Sequence, residues 1–493
     1  MKFKYLLLAS TSGLVLAASG TLADNNEAFL DQSGIGNAAL IDQTAADSSS
    51  VGRSDNSNVG QFGNDNAFSA TQTGDRQTIG SGGRFDQNGN FNDADISQSG
   101  ADNLFDYMIQ SATGATGLSN DLDATQAGTG NRIKELRQTL LGGSTPNSAS
   151  ISQDGDGLVA GGRLRQSGSG NNLTIVQTGT DNRIAPVNNI QGASSASPSL
   201  ASLNQGGQDN AMTVTQSGTN NELRQAQQIG DANSATIELS GSDNGLDPLT
   251  SGGASEASMA TPGAVDQFGN RNETDLSISG VGNAYGVLQD GDDNLALDIN
   301  VTGNSNSVGV GQFGDRNEIR LGTIAGDDNS TGFNQTGDDN LAETEVAGND
   351  NDTLTQQSGI SNEAEAIVGG NRNRTTVAQA GLSNGGSAEI DGNRNRTNVV
   401  QLGLYNDATT VVDGNRNRTN FEQIGLLNFG AAEVDGNGNR TTLGQIGEFN
   451  DASADIAGNR NRTSIGQDGL SNDATAVVDG NRNRTNFEQI GLL

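Results

Sequence analysis

Gln335, Gln357, Gln379, Gln401, Gln423, Gln445, Gln467 and Gln489 stand 22 residues apart, and Asn395, Asn417, Asn461 and Asn483 each lie six residues ahead of one of them. A primary amide donates two hydrogen bonds and accepts others, so a periodic file of amides is suited to pairing with its own copies. The parent motif, Gln-x-Gly-x-x-Asn, occurs twenty times, from Gln32-Gly34-Asn37 to Gln467-Gly469-Asn472. Other chemistry is thinly supplied. The chain has no Cys and no His, which removes Ser-His and Cys-His nucleophile pairs, imidazole or thiolate metal sites, and disulfides. Carboxylates and hard oxygen ligands are what is left for acid–base or metal work. No cluster of them breaks the repeat as an active site would, so no catalytic residue, cofactor site or metal site is assigned and no enzyme is expected.

These amides need elements that place every copy on the same face. Midway between the glutamines lie Val346, Val368, Ile390, Val412, Val434, Ile456 and Val478, each followed by its own x-Gly-x-x-Asn. The unit is therefore two half-repeats. Within each half the apolar period is two, the signature of a strand. One strand sets Asn395, Thr397, Val399 and Gln401 on one face, and its companion sets Asn406, Ala408, Thr410 and Val412. Pieces such as Gly403-Leu404-Tyr405 and Gly414-Asn415-Arg416 supply residues for tight arcs. The expected fold is all-β: a β-solenoid, or cross-β stack, of 22-residue strand-arc-strand rungs whose inward Asn and Gln form ladders along the axis.

The composition alone points elsewhere. With 493 residues, 32% hydrophobic content and a formal charge of −33, the chain has the signature of intrinsic disorder. Only the repeat argues for a packed core. That charge also leaves little to displace counterions from phosphates, which argues against nucleic acid.

Three segments are expected. Residues 1–23 read as a secretory signal peptide, with Lys2 and Lys4, the apolar Leu6–Ala18, and Thr21-Leu22-Ala23 before a cleavage point. Residues 24–334 keep the motif irregularly, with Ser/Gly-rich insertions near 44–57, 111–124, 139–150, 185–203 and 245–265 expected to loop out of the arcs. Residues 335–493 are the regular solenoid. No later segment is apolar enough to span a bilayer. Residues 479–493 repeat residues 413–427 and no polar cap follows, so an open last rung is expected to template another chain.

Gln32-Ser33-Gly34-Ile35-Gly36-Asn37-Ala38-Ala39-Leu40-Ile41-Asp42-Gln43 and its relatives closely resemble the curlin repeat of bacterial curli subunits. The resemblance covers most of residues 30–493. It implies a secreted, extracellular, cell-surface fibre: a functional amyloid in which the chain partners itself, a nucleator subunit and an outer-membrane export channel, and meets host or abiotic surfaces in adhesion and biofilm matrix. It also implies a stacking role for Gln379, Gln401, Asn395 and Asn417. The chain departs from that pattern in its length, in the Val or Ile that ends alternate strands, and in arginine pairs such as Arg394/Arg396 and Arg416/Arg418.

The rival reading is a monomeric extracellular β-solenoid adhesin that binds calcium or glycan. The Asp-Gly-Asn arcs could hold calcium but lack the Gly-Gly-x-Gly-x-Asp nonapeptide of calcium-bound rolls. Asn395-Arg396-Thr397 matches a glycosylation sequon through residues whose periodicity already faces them inward. Arg374, Arg396, Arg418, Arg440, Arg462 and Arg484 would stack like charges, so pairing with Asp391, Asp413, Asp435 and Asp479 is expected. A basic stripe for anionic polysaccharide is the alternative.

Overall fold

The computed structural model describes residues 13–17, 25–52, 58–81, 84–113, 119–141, 145–184, 203–246 and 261–491. Among them every regular element is a β-strand and none is a helix. The chain forms two compact units, Met1–Asn244 with Asp266–Arg271, and Gly245–Val265 with Asn272–Leu493. Each is a β-solenoid with two stacks of parallel strands facing each other across a thin core.

The second unit shows the rule most plainly. One stack contains Arg374–Leu382, Arg396–Leu404, Arg418–Leu426, Arg440–Glu448 and Arg462–Leu470. The other contains Gly385–Asn393, Asp407–Asn415, Phe429–Val434, Asp451–Ile456 and Asp473–Val478. Each strand pairs with the equivalent strand of the next rung, position for position: Thr397 opposite Thr419, Gln401 opposite Gln423. Side chains alternate about the strand, so Thr397, Val399 and Gln401 are buried while Arg396 is exposed. The change of rung length at Gln335, from 23 residues to 22, falls inside this unit.

The arcs need two residues of positive φ per turn. Gly403 has φ 126° and Tyr405 has φ 54°. A Cβ on Gly403 would lie 1.9 Å from the carbonyl oxygen of Gly425 in the next rung. Backbone stacks on backbone there, and no side chain fits between.

In the first unit the rungs are unequal in length, and the strand pairings keep register apart from one shift between Thr44 and Asp47. Strands Ala67–Asp75, Asp93–Ala101 and Asp121–Thr129 align Gln72, Gln98 and Gln126. Larger residues fill this core, with Phe68, Phe85 and Phe105 packed edge to face at centroid distances of 5.9 and 5.1 Å. Even the long insertion at 185–203 leaves the glutamine ladder unbroken. Gln166 donates to Gln205 at 3.0 Å although 39 residues separate them. Residues 53–57, 114–118, 142–144, 185–202 and 247–260 of the insertions lie outside the described residues. Of the expected signal peptide only Gly13–Ala17 is described, as a strand parallel to Ala38–Asp42.

Candidate functional site

The amides are the feature with the strongest claim to a function. The Nε2 of each ladder glutamine from Gln335 to Gln467 donates to the Oε1 of the next rung's ladder glutamine. The distances are 2.9 Å for Gln335 to Gln357, 3.0 Å to Gln379, 2.9 Å to Gln401 and 2.9 Å to Gln423. They continue at 2.8 Å to Gln445, 2.9 Å to Gln467 and 3.0 Å to Gln489. The glutamines from Gln335 to Gln467 are buried. The same Nε2 also donates across the core, as from Gln401 to the Gly385 carbonyl at 2.6 Å and from Gln423 to the Asp407 carbonyl at 2.8 Å. One side chain thus bonds to its copy along the axis and to the facing stack. That second bond lies beyond what periodicity can disclose.

The asparagines divide into two kinds. Asn395, Asn417, Asn461 and Asn483 do not stack amide on amide. The backbone N–H of Asn417 donates to Asn395 Oδ1 at 2.9 Å, and Asn395 Nδ2 donates to the Gly414 carbonyl at 2.8 Å. The backbone N–H of Asn483 donates to Asn461 Oδ1 at 2.9 Å. These residues pin the turn into the strand. At the other arc Asn406 Nδ2 reaches Asn384 Oδ1 at 3.0 Å, and the side chains do meet. Asn395, the sequon asparagine, is 2% exposed and held inside the rung.

Two ladders escaped the sequence reading. In the first unit a second glutamine column runs through the facing stack, Gln43 to Gln72 at 2.9 Å, Gln72 to Gln98 at 2.9 Å, Gln98 to Gln126 at 2.7 Å and Gln126 to Gln153 at 2.8 Å. It ends at Gln216, whose partner in register is Leu239. The 11-residue steps Gln87–Gln98, Gln166–Gln177 and Gln205–Gln216 are its trace in the sequence: they join the two facing members of one rung. The other is an exposed asparagine ladder. Asn371 Nδ2 donates to Asn393 at 3.1 Å, Asn393 to Asn415 at 2.9 Å and Asn415 to Asn437 at 3.0 Å. Its period of 22 was there to be read.

The arginine pairing is corrected. Arg374 pairs with Asp352 and Arg372 with Asp350, each at 3.3 Å, one rung back. Among the described residues, Asp391, Asp413, Asp435 and Asp479 form no ion pair with an arginine. Asp391 and Asp413 lie near the end of the facing stack's strands, and Asp435 and Asp479 just past it, on the other side of the arc. A solvated pair there would contribute little.

Carboxylates stack as well. Asp93 lies in register with Asp121; partial burial raises both carboxyls above the ordinary range, and neighbouring aspartates raise them further. Burial pushes Asp266 up to about 6, against hydrogen bonds from Gln225 and a backbone N–H. Among the described residues no group of three or more carboxylates is placed to hold a metal ion. No helix among them is long and apolar enough to cross a membrane. No protein-family model matches the chain, and no match is found among the curated proteins.

Proposed function

We propose that the chain is a non-enzymatic, secreted structural subunit of a curli-like functional amyloid fibre, serving cell adhesion and biofilm matrix formation by self-assembly. The observation that carries this reading is the unbroken ladder from Gln335 to Gln489. Its donors and acceptors repeat after one rung, so a rung from a second copy meets the same pattern as a rung of its own chain. The leader-like residues 1–23 support export, and the resemblance of the repeat supports a nucleator subunit, an outer-membrane channel and contact with host or abiotic surfaces.

The test is to purify residues 24–493 and follow amyloid-dye binding, light scattering and X-ray fibre diffraction with time. Fibres with a meridional reflection at ~4.8 Å are expected, with seeding by preformed fibres. A product that stays monomeric and unseeded overturns the reading and leaves the monomeric adhesin.

A further inference from the structure

The eleven arginines between Arg372 and Arg484 are gathered on one arc of the second unit. Asp352 is followed in register by Arg374, Arg396, Arg418, Arg440, Arg462 and Arg484. Beside this column runs a second, made of Arg372, Arg394, Arg416, Arg460 and Arg482. All eleven side chains are exposed. Past the first two, no arginine in either column has a carboxylate within ion-pair distance among the described residues.

Folding does not ask for this arrangement. Stacking places like charges ~4.8 Å apart, which is repulsive. Arg394 and Arg416 also sit at φ 61° and 60°, a region disfavoured for long side chains and cheaper for Gly, Asn or Asp. The same arc position carries Asp328, Asp350 and Gly438 in other rungs, so the turn forms without arginine. Of 26 basic residues in a chain of net charge −33, eleven lie here. The net charge conceals a basic face.

The face is also periodic, with one arginine of the first column per rung. The exposed asparagine ladder runs alongside, and a groove of about 690 Å³ is lined by Asn371, Arg372, Asn393, Arg394, Asn415 and Arg416 among others. We propose that this arginine face binds an extended anionic polysaccharide of the polyuronate class. A guanidinium pairs with a carboxylate through two parallel N–H donors, and the asparagine amides can meet sugar hydroxyls. An extended pyranose chain with a carboxylate on each residue advances in steps comparable to one rung. Duplex DNA offers more charge per length, but its phosphates lie on two helical strands and do not repeat at one per rung along a single column. Asp391, Asp413, Asp435 and Asp479 border the arc on the facing-stack side, and Glu422 and Glu488 lie on the arginine stack's outer face. These acids confine the ligand to the stripe.

The experiment uses residues 24–493 and three probes: polygalacturonate, neutral dextran and duplex DNA, titrated over a salt series. Polygalacturonate is expected to bind best, with affinity falling as salt rises, and dextran not to bind. The variant R394Q/R396Q/R416Q/R418Q is expected to lose about tenfold or more of that affinity and to show a shallower salt dependence. The Lys counterpart at the four positions keeps the charge and is expected to recover affinity only in part. Circular dichroism checks that both variants hold the β-fold. Dextran binding as well as polygalacturonate, or DNA binding more tightly than either, overturns the proposal on the unmodified chain alone. Unchanged affinity in the folded Gln variant overturns it too.

Discussion

Gln401 and Thr419 face the same core with opposite balances. Gln401 is fully bonded: it accepts from Gln379 and donates to Gln423 and to the Gly385 carbonyl. Replacing it with Leu takes a hydrogen-bond partner from two buried amides, Gln379 and Gln423, and from the half-buried Gly385 carbonyl, at about 1–3 kcal/mol for each group left without another. Thr419 Oγ1 is buried without a hydrogen-bond partner, as are Thr375, Thr397, Thr441 and Thr463 Oγ1. Thr419→Val removes that unpaired hydroxyl while keeping the branched shape. Denaturant titration is expected to show Gln401→Leu destabilised and Thr419→Val more stable by about 1 kcal/mol; the same sign for both would refute this division of the core. The hydroxyls illustrate a limit of sequence reading. Thr at 397 and 419 was readable as inward-facing from the period of two, but nothing in the period says whether an inward hydroxyl finds an acceptor.

At the scale of strand and arc, the glycine of Gln-x-Gly-x-x-Asn is constrained by the rung above it. Gly403→Ala must place a Cβ 1.9 Å from a backbone oxygen, with no flexible group to yield. Elsewhere the clash is with a side chain: a Cβ on Gly430 would lie 2.1 Å from Phe421 Cζ. Phe421 takes the core position filled by Val399 one rung earlier, and Gly430 leaves room for it. Gly430→Ala is therefore expected to cost about 1–3 kcal/mol of overpacking, and Phe421→Val in the same chain to restore most of it. Gly403→Ala has no such rescue. A double-mutant cycle by thermal melting decides the matter, and failure of Phe421→Val to rescue Gly430→Ala would show that the ring is not the obstacle. The strands themselves were legible because each rung repeats the last: Asn395-Thr397-Val399-Gln401 announces its face and is copied at 417–423. The second glutamine column of the first unit was not, because insertions stretch its spacing to 28 residues at Gln98–Gln126 and 39 at Gln177–Gln216. Aspartate–arginine pairing was misread because nearness in sequence across an arc puts the two groups on different sides of it.

For the whole molecule the acids set the response to pH. Burial raises Asp86, Asp93, Asp121, Asp266, Asp407 and Asp451, the last two in the second unit and the others in the first. Such a group holds its proton more tightly folded than unfolded, so acidification stabilises the fold. That stabilisation is lost as pH rises from the ordinary carboxylate range toward about 6, the value for Asp266. Relief of self-repulsion in a chain of formal charge −33 acts in the same direction. Asp102 and Asp339, lowered by hydrogen bonds from Arg76 and Arg316, oppose it only below the ordinary range. Thermal melts are expected to give a higher Tm at about pH 5 than at about pH 7. A higher Tm at neutral pH would refute the assignment.

The 39-residue interval bridged by Gln166 and Gln205 also bears on how such a chain can evolve. Because a ladder bond is satisfied by the neighbouring rung however much polypeptide intervenes, gene segments encoding the connections can grow, shrink or be exchanged while the ladder glutamines keep their partners. Selection can therefore act on what the connections carry independently of what the rungs hold, much as a rack accepts different trays on identical rails.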